Sequence, residues 1–267
     1  MYIGQKPRFK NTGIAAHIWI LAATILIGSS SQSSATITQI QDSTICNDPC
    51  WEISGLITQS DLQELPHIVD RMKGSKVQPA FRLNSNGGDV EAAITIGRLL
   101  RKIKASAQTW SQGGCYSSCV FIFAGAVQRD GRLGVGIHRP YSTRTDMRDY
   151  QAIQSDQRRL AKLAKDYLEE VNVLPSLYDA MMSIPPEKIK LLSEAELDSY
   201  GLLKVDPVEQ EFRDAAAARH YGISNVEYIQ RKGQVDITCA SEYNWGTTTG
   251  DFKSYFKCEE DVLSLRR

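Results

Sequence analysis

The chain has 267 residues, 42% of them hydrophobic, and its Lys+Arg and Asp+Glu counts balance at 31 each. The balance excludes the positive field that nucleic-acid binding needs. The length suffices for one substantial core or two small ones.

The charge is unevenly spread. Lys6, Arg8 and Lys10 precede an apolar run, "IAAHIWILAATILIG" (14–28), and no acidic residue falls in the first 35. With small residues at Ser33 and Ala35, this has the form of a secretory signal cleaved before Thr36. The run is shorter than the ~20 residues of a spanning helix. A retained anchor is the alternative for residues 1–35, and the only membrane contact expected. Either way the rest is exported, to the periplasm or the cell exterior.

Six cysteines in three close pairs, Cys46/Cys50, Cys115/Cys119 and Cys239/Cys258, fit an oxidising compartment. A Cys239–Cys258 bridge would contribute roughly 3 kcal/mol in the chain-entropy model. Four-residue spacing at a helix start strains bridge geometry, so Cys115/Cys119 stays open between a bridge and free thiols. No metal is expected, because Cys115, Cys119 and His138 fall one short of four ligands.

Residues 36–50 read as a polar leader ending in "CNDPC". "WEISGLIT" (51–58) alternates as a strand, and Ser60 is placed to cap the helical "DLQELPHIVDRMK". "PAFRLNS" (79–85) reads as a buried strand. After "NGG", the stretch "DVEAAITIGRLLRKIK" sets Val90, Ala93, Ile94, Gly97 and Leu100 on one helical face. "SAQTWS" (106–111) predicts a short strand and "SSCVFIFAGAV" (117–127) a helix apolar nearly all round, hence buried. "GRLGVGIH" (131–138) predicts a further strand.

A long amphipathic helix is expected over 148–172, its stripe marked by Ile153, Leu160, Leu163, Tyr167, Leu168 and Val171. "SEAELDSYG" (193–201) opens with a capping box, Ser193 to Glu196, and closes on glycine. The tail from 207 carries an Ala-rich helix (208–219) and the Cys239/Cys258 loop. Strands alternating with helices imply parallel pairing through crossover helices, so the class is α/β.

Three stretches carry candidate chemistry: "LNSNGGD" (83–89), "GGCYSSCVFIFAG" (113–125) and "GIHRP" (136–140). They supply a backbone turn able to bind an anion, a hydroxyl at the start of a buried helix, and an imidazole at a strand end. Unpartnered amides at a helix start carry partial positive charge, which suits a serine whose product is an oxyanion. A histidine beside it could take the hydroxyl proton. Each has a plainer reading: a tight turn with Asp89 as N-cap, a serine that only caps, a hydrogen-bonded histidine. His67 and His220 read as surface residues.

In order and spacing these stretches resemble the Clp protease proteolytic subunit of the Clp/crotonase superfamily. That family has Asn-Ser-Pro-Gly-Gly, a serine opening a buried helix that ends in Ala-Gly, then Ile-His-Gln-Pro. Here stand "NSNGG", Ser117 before "SCVFIFAG", and "IHRP". Cysteines flanking the serine as Cys-x-Ser-x-Cys resemble an exported branch of the superfamily. The resemblance runs from about Trp51 to Asp206. It implies a β-β-α spiral with a parallel sheet core over 51–206, followed by a disulfide-stapled helical appendage over 207–267.

The same resemblance implies Ser117 as nucleophile, His138 as general base, and the amides of Gly88 and Ser118 as oxyanion hole. Ser118 is the alternative nucleophile; counting back from the apolar helix favours Ser117. The family's triad aspartate falls on Ile189, which cannot orient an imidazole. Glu187 is the nearest carboxylate, with Asp179 and Asp198 more remote. The function expected is an exported serine hydrolase, a peptidase above all, acting on peptide or acyl substrates without a cofactor, and homo-oligomeric as its relatives are. A catalytically silent binding module and a crotonase-type acyl-coenzyme A enzyme are the alternatives. A Cys115–Cys119 bridge would fix the backbone beside Ser117, and its reduction would loosen the site.

Overall fold

A computed structural model describes residues 36–40, 50–72, 77–109, 113–132, 134–140, 150–240 and 252–264. The expected leader (1–35) and most of "CNDPC", from Cys46 to Pro49, lie outside these residues. Among the described residues no helix is long and apolar enough to cross a membrane.

The fold is mixed α/β around a mostly parallel sheet, of nine strands among the described residues. Strand β3 (Ala80–Gly88) organises it, with burial alternating along its length so that Phe81, Leu83 and Ser85 point inward. Its first half lies between β2 (Cys50–Ile57) and β4 (Ser106–Thr109), both parallel to it. Its second half leaves β4 and pairs instead with β5 (Cys115–Tyr116), which continues to β7 (Val135–Ile137). The sheet therefore splits at Ser85. One branch runs β4, β6 (Gln128–Asp130), β9 (Lys204–Val205); the other runs β5, β7, β8 (Lys190–Leu191). Within the expected polar leader, β1 (Thr36–Ile40) pairs antiparallel with β2.

Helices α2 (Val90–Lys102) and α3 (Cys119–Gly125) cover the sheet, and every residue of α3 is buried. Helix α4 (Tyr150–Glu170) enters the core only through its second half, at Ala164, Tyr167 and Leu168. The Tyr167 hydroxyl donates to the Phe121 carbonyl at 2.8 Å, which satisfies it in a site where burial pushes its pKa up. Helix α6 (Glu194–Ser199) carries the expected capping box, Ser193 with Glu196.

The helix start at Ser60 is corrected by the structure. Thr58 is the N-cap, in a capping box with Asp61, and a 3-10 segment (Gln59–Glu64) precedes α1 (Leu65–Met72). Pro66 has no amide hydrogen to continue an α-helix from 59, so the chain tightens and restarts with proline in the first turn.

Past Asp206, the described residues form three helices: α7 (Pro207–Tyr221), α8 (Asn225–Thr238) and α9 (Phe252–Ser264). They enclose a second small core of Ala218, Tyr228, Val235, Cys239 and Leu263. The Cys239–Cys258 bridge, Cα–Cα 5.8 Å, joins the end of α8 to α9. Cys50 is also disulfide-bonded, and among the described residues no cysteine is free.

Candidate active site

The split in the sheet sets the ends of β3, β5 and β7 side by side. Ser85 pairs with Cys115, and Cys115 with Val135, all parallel. Carried forward two residues, that register sets Gly87 beside Ser117. Gly88 closes β3, and His138 directly follows the last residue of β7. The Ser117 amide donates to the Gly136 carbonyl at 3.0 Å, which holds the β5 end against β7. Three stretches far apart in sequence thus meet at one sheet end.

Ser117 is the corner between β5 and α3, and its φ is +56°. A residue with a Cβ in the left-handed region costs about 1–3 kcal/mol and persists only where its surroundings overdetermine it. Two constraints do so here. The Cys115–Cys119 bridge, Cα–Cα 5.2 Å, ties the residues two before and two after the corner. Gly87 presses on the other side: a Cβ there would lie 2.6 Å from Ser117 Cβ and 3.0 Å from the Ser118 amide nitrogen. A sharp strand-to-helix turn of this kind presents a serine hydroxyl outward from the sheet.

The bridge answers the geometric objection to Cys115/Cys119. That objection assumed both cysteines at a helix start. Cys115 is in a strand, and the left-handed residue between them folds the chain back to bridging distance.

The two serines differ sharply. Ser117 is partly exposed, whereas Ser118 is 1% exposed and its hydroxyl is buried without a hydrogen-bond partner among the described residues. Ser118 is formally the N-cap of α3, yet it makes no side-chain cap bond, so neither serine acts as a capping side chain. Replacing Ser118 by alanine keeps the backbone amide and removes an unsatisfied buried hydroxyl. It should stabilise the protein by about 1 kcal/mol, read as a rise of about 2–4 °C in Tm. A fall in Tm would mean that the hydroxyl has a partner.

The diglycine turn divides its labour. Gly87 has φ +96° and Gly88 +147°, both in the region that favours glycine. A Cβ on Gly88 would lie 2.1 Å from the Ile57 carbonyl oxygen, so β2 leaves no room for a side chain. Ser85, 2% exposed, props the turn: its hydroxyl donates to the Gly55 carbonyl at 2.6 Å and accepts from the Gly87 amide at 3.1 Å. Asp89 caps α2 through Ala92, as its plainer reading required. The roles of Gly87 and Ser85 were missed in the sequence; the strand register, not any motif, reveals them.

His138 is 7% exposed, and its Nδ1 lies 2.9 Å from the Arg139 carbonyl oxygen. Among the described residues the Ser117 hydroxyl makes no hydrogen bond to His138 or to any other group. Catalytic contacts commonly close only around substrate. Antiparallel pairing of Gly136 with Leu191 and Ile137 with Lys190, carried one residue on, places Ile189 across from His138. Its Cγ2 would meet a Cβ on Gly136 at 2.6 Å. The position opposite His138 is thus held by an aliphatic side chain, 52% exposed.

Glu187 is exposed in the turn Pro185–Lys188, with no hydrogen bond or ion pair among the described residues. Asp179 is paired with Lys165 at 2.7 Å.

Residues 71–202 match a family model described as Clp protease. Among solved structures, a ClpP1 point mutant from Listeria monocytogenes aligns with 19% identity and a TM-score of 0.44. The alignment covers 58% of this chain and 88% of that one. No curated protein matches the sequence.

Proposed function

Since the chain belongs to the ClpP-like superfamily and has its peptidase-type fold, we propose that it is an exported serine hydrolase acting on peptides. Ser117 Oγ attacks the substrate carbonyl while His138 takes its proton. The Ser118 and Gly88 amides receive the oxyanion. The Gly87 amide is committed to Ser85, which leaves Gly88 as the diglycine donor. His138 then returns the proton to the leaving amine, and water hydrolyses the acyl-enzyme by the same route in reverse.

The observation that carries this reading is the left-handed Ser117 at the β5–α3 corner, held level with the diglycine turn and the end of β7. Export is supported by the cysteines, bridged where they are described.

A fluorophosphonate probe tests the proposal. Native protein should form an adduct on Ser117, located by peptide mass, and Ser117→Ala should form none while Ser118→Ala still does. Folded protein that never labels at Ser117 overturns it. Ile189 beside His138 favours a second reading, a binding module that keeps the groove without turnover. On that reading Ser117→Ala leaves the biological phenotype intact.

A further inference from the structure

We infer that the backbone carbonyl of Arg139 orients His138, and that Arg139 and Pro140 are positioning residues for the hydrolysis proposed above, on which this inference rests. The His138 Nδ1 sits 2.9 Å from that oxygen. A carbonyl can only accept, so the proton of this hydrogen bond is on Nδ1. In the neutral ring Nε2 then carries the lone pair, the form a general base requires. A triad carboxylate enforces the same tautomer, and here Ile189 stands where that carboxylate would be.

A backbone carbonyl serves only if its direction is fixed, and Arg139 is fixed at three points. Its amide donates to the Ile184 carbonyl at 2.8 Å. Its guanidinium Nε donates to the Met182 carbonyl at 2.9 Å. Both acceptors belong to the end of α5 (Ser176–Ser183), where carbonyls lack helical partners and a cation is favoured. The third point is Pro140: a residue before proline is confined to extended ψ, the torsion that aims its carbonyl. Helix α5 is itself anchored in the core by Leu177, Tyr178 and Met181. Restraint passes from the core through α5 and Arg139 to the imidazole.

The carbonyl differs from a carboxylate in one respect. It sets the tautomer but brings no full charge to stabilise the imidazolium, so orientation is kept and part of the electrostatic assistance is not.

Two-bond 1H–15N correlation on the 15N-labelled full chain reads the His138 tautomer directly. The result expected is a protonated Nδ1 in the neutral ring. Pro140→Ala and Arg139→Ala should each move the population toward the Nε2-protonated form. Both should slow fluorophosphonate labelling of Ser117 by about 10-fold, the lower range for removing a group that orients a histidine. Arg139→Lys, which keeps a cation for the Met182 carbonyl, should recover part of both. A wild-type His138 protonated on Nε2 overturns the inference, as do variants that leave tautomer and labelling unchanged. If wild-type protein never labels but the tautomer is as expected and shifts in the variants, the orienting role stands and the hydrolase reading alone fails. The wild-type spectrum needs no variant to fold.

Discussion

Replacing Asp206 by alanine is expected to lower the unfolding free energy by about 3–5 kcal/mol, the loss that follows removal of one partner of a buried ion pair. Asp206 is 1% exposed and sits where the α/β fold passes into α7. Its carboxylate accepts from Arg101 at 3.0 Å and from Asn172 at 3.0 Å, and lies 3.5 Å from Arg129. It also caps α7 through the Val208 and Glu209 amides. Arg129 is equally buried and donates to the carbonyls of Ala126, Val171 and Gly201. Those oxygens come from just past the ends of α3, α4 and α6, where helix dipoles leave partial negative charge. Burial pushes the Arg129 pKa down to about 10, still high enough to keep the charge at neutral pH. Without Asp206 that charge stays buried with its carboxylate gone.

The same variant makes a pH prediction. Burial pushes the Asp206 carboxyl up, but the hydrogen bonds from Arg101 and Asn172, with the Arg101 charge, outweigh it and hold its pKa below the usual range. A depressed acid contributes fully above its unfolded value near ~3.9 and loses that contribution as pH falls through the lower folded value. The gap between wild type and Asp206→Ala in denaturant unfolding should therefore be wide at neutral pH and narrow in acid. A gap below about 1 kcal/mol at neutral pH, the scale of a surface pair, would show the network to be ornamental.

Much of this architecture is legible from residue order, and what is not has identifiable causes. The alternation of "PAFRLNS" and the all-apolar "SCVFIFAG" mark β3 and α3 because each is buried by a single rule, period two or full enclosure. The diglycine, Ser117 and His138 can be singled out because each lies at the end of such an element. The Ser117 corner is invisible because a left-handed φ leaves no pattern in side-chain types. Helices α8 and α9 escape notice for another reason. Their shared core is small, and α8 leaves Val226, Ile229 and Ile237 exposed, which blurs the polar and apolar faces. Arg129 lies in "QRDGR", a charged run that reads as surface. Only the helix ends gathered around it explain a buried guanidinium.

Ile189→Asp is expected to accelerate fluorophosphonate labelling of Ser117 by about 10- to 100-fold, well short of the ~10⁴ by which removing the triad aspartate slows a serine protease with a full triad. The lower figure follows from what is already present. Much of the aspartate's worth in a triad lies in setting the histidine tautomer, and the Arg139 carbonyl already bonds the His138 Nδ1. A carboxylate at 189, across from His138 in the β7–β8 register, then adds chiefly its charge to an imidazolium forming 7% exposed. Ile189 is 52% exposed, so the substitution removes little buried apolar surface and leaves the fold intact. Labelling rates for wild type, Ile189→Asp, Pro140→Ala and the double variant close a cycle. The aspartate should gain more in the Pro140→Ala background, where the carbonyl is no longer aimed and the new carboxylate must supply orientation as well as charge. Equal gains in both backgrounds would mean that the Arg139 carbonyl orients nothing. No gain in either would mean that position 189 does not face the imidazole.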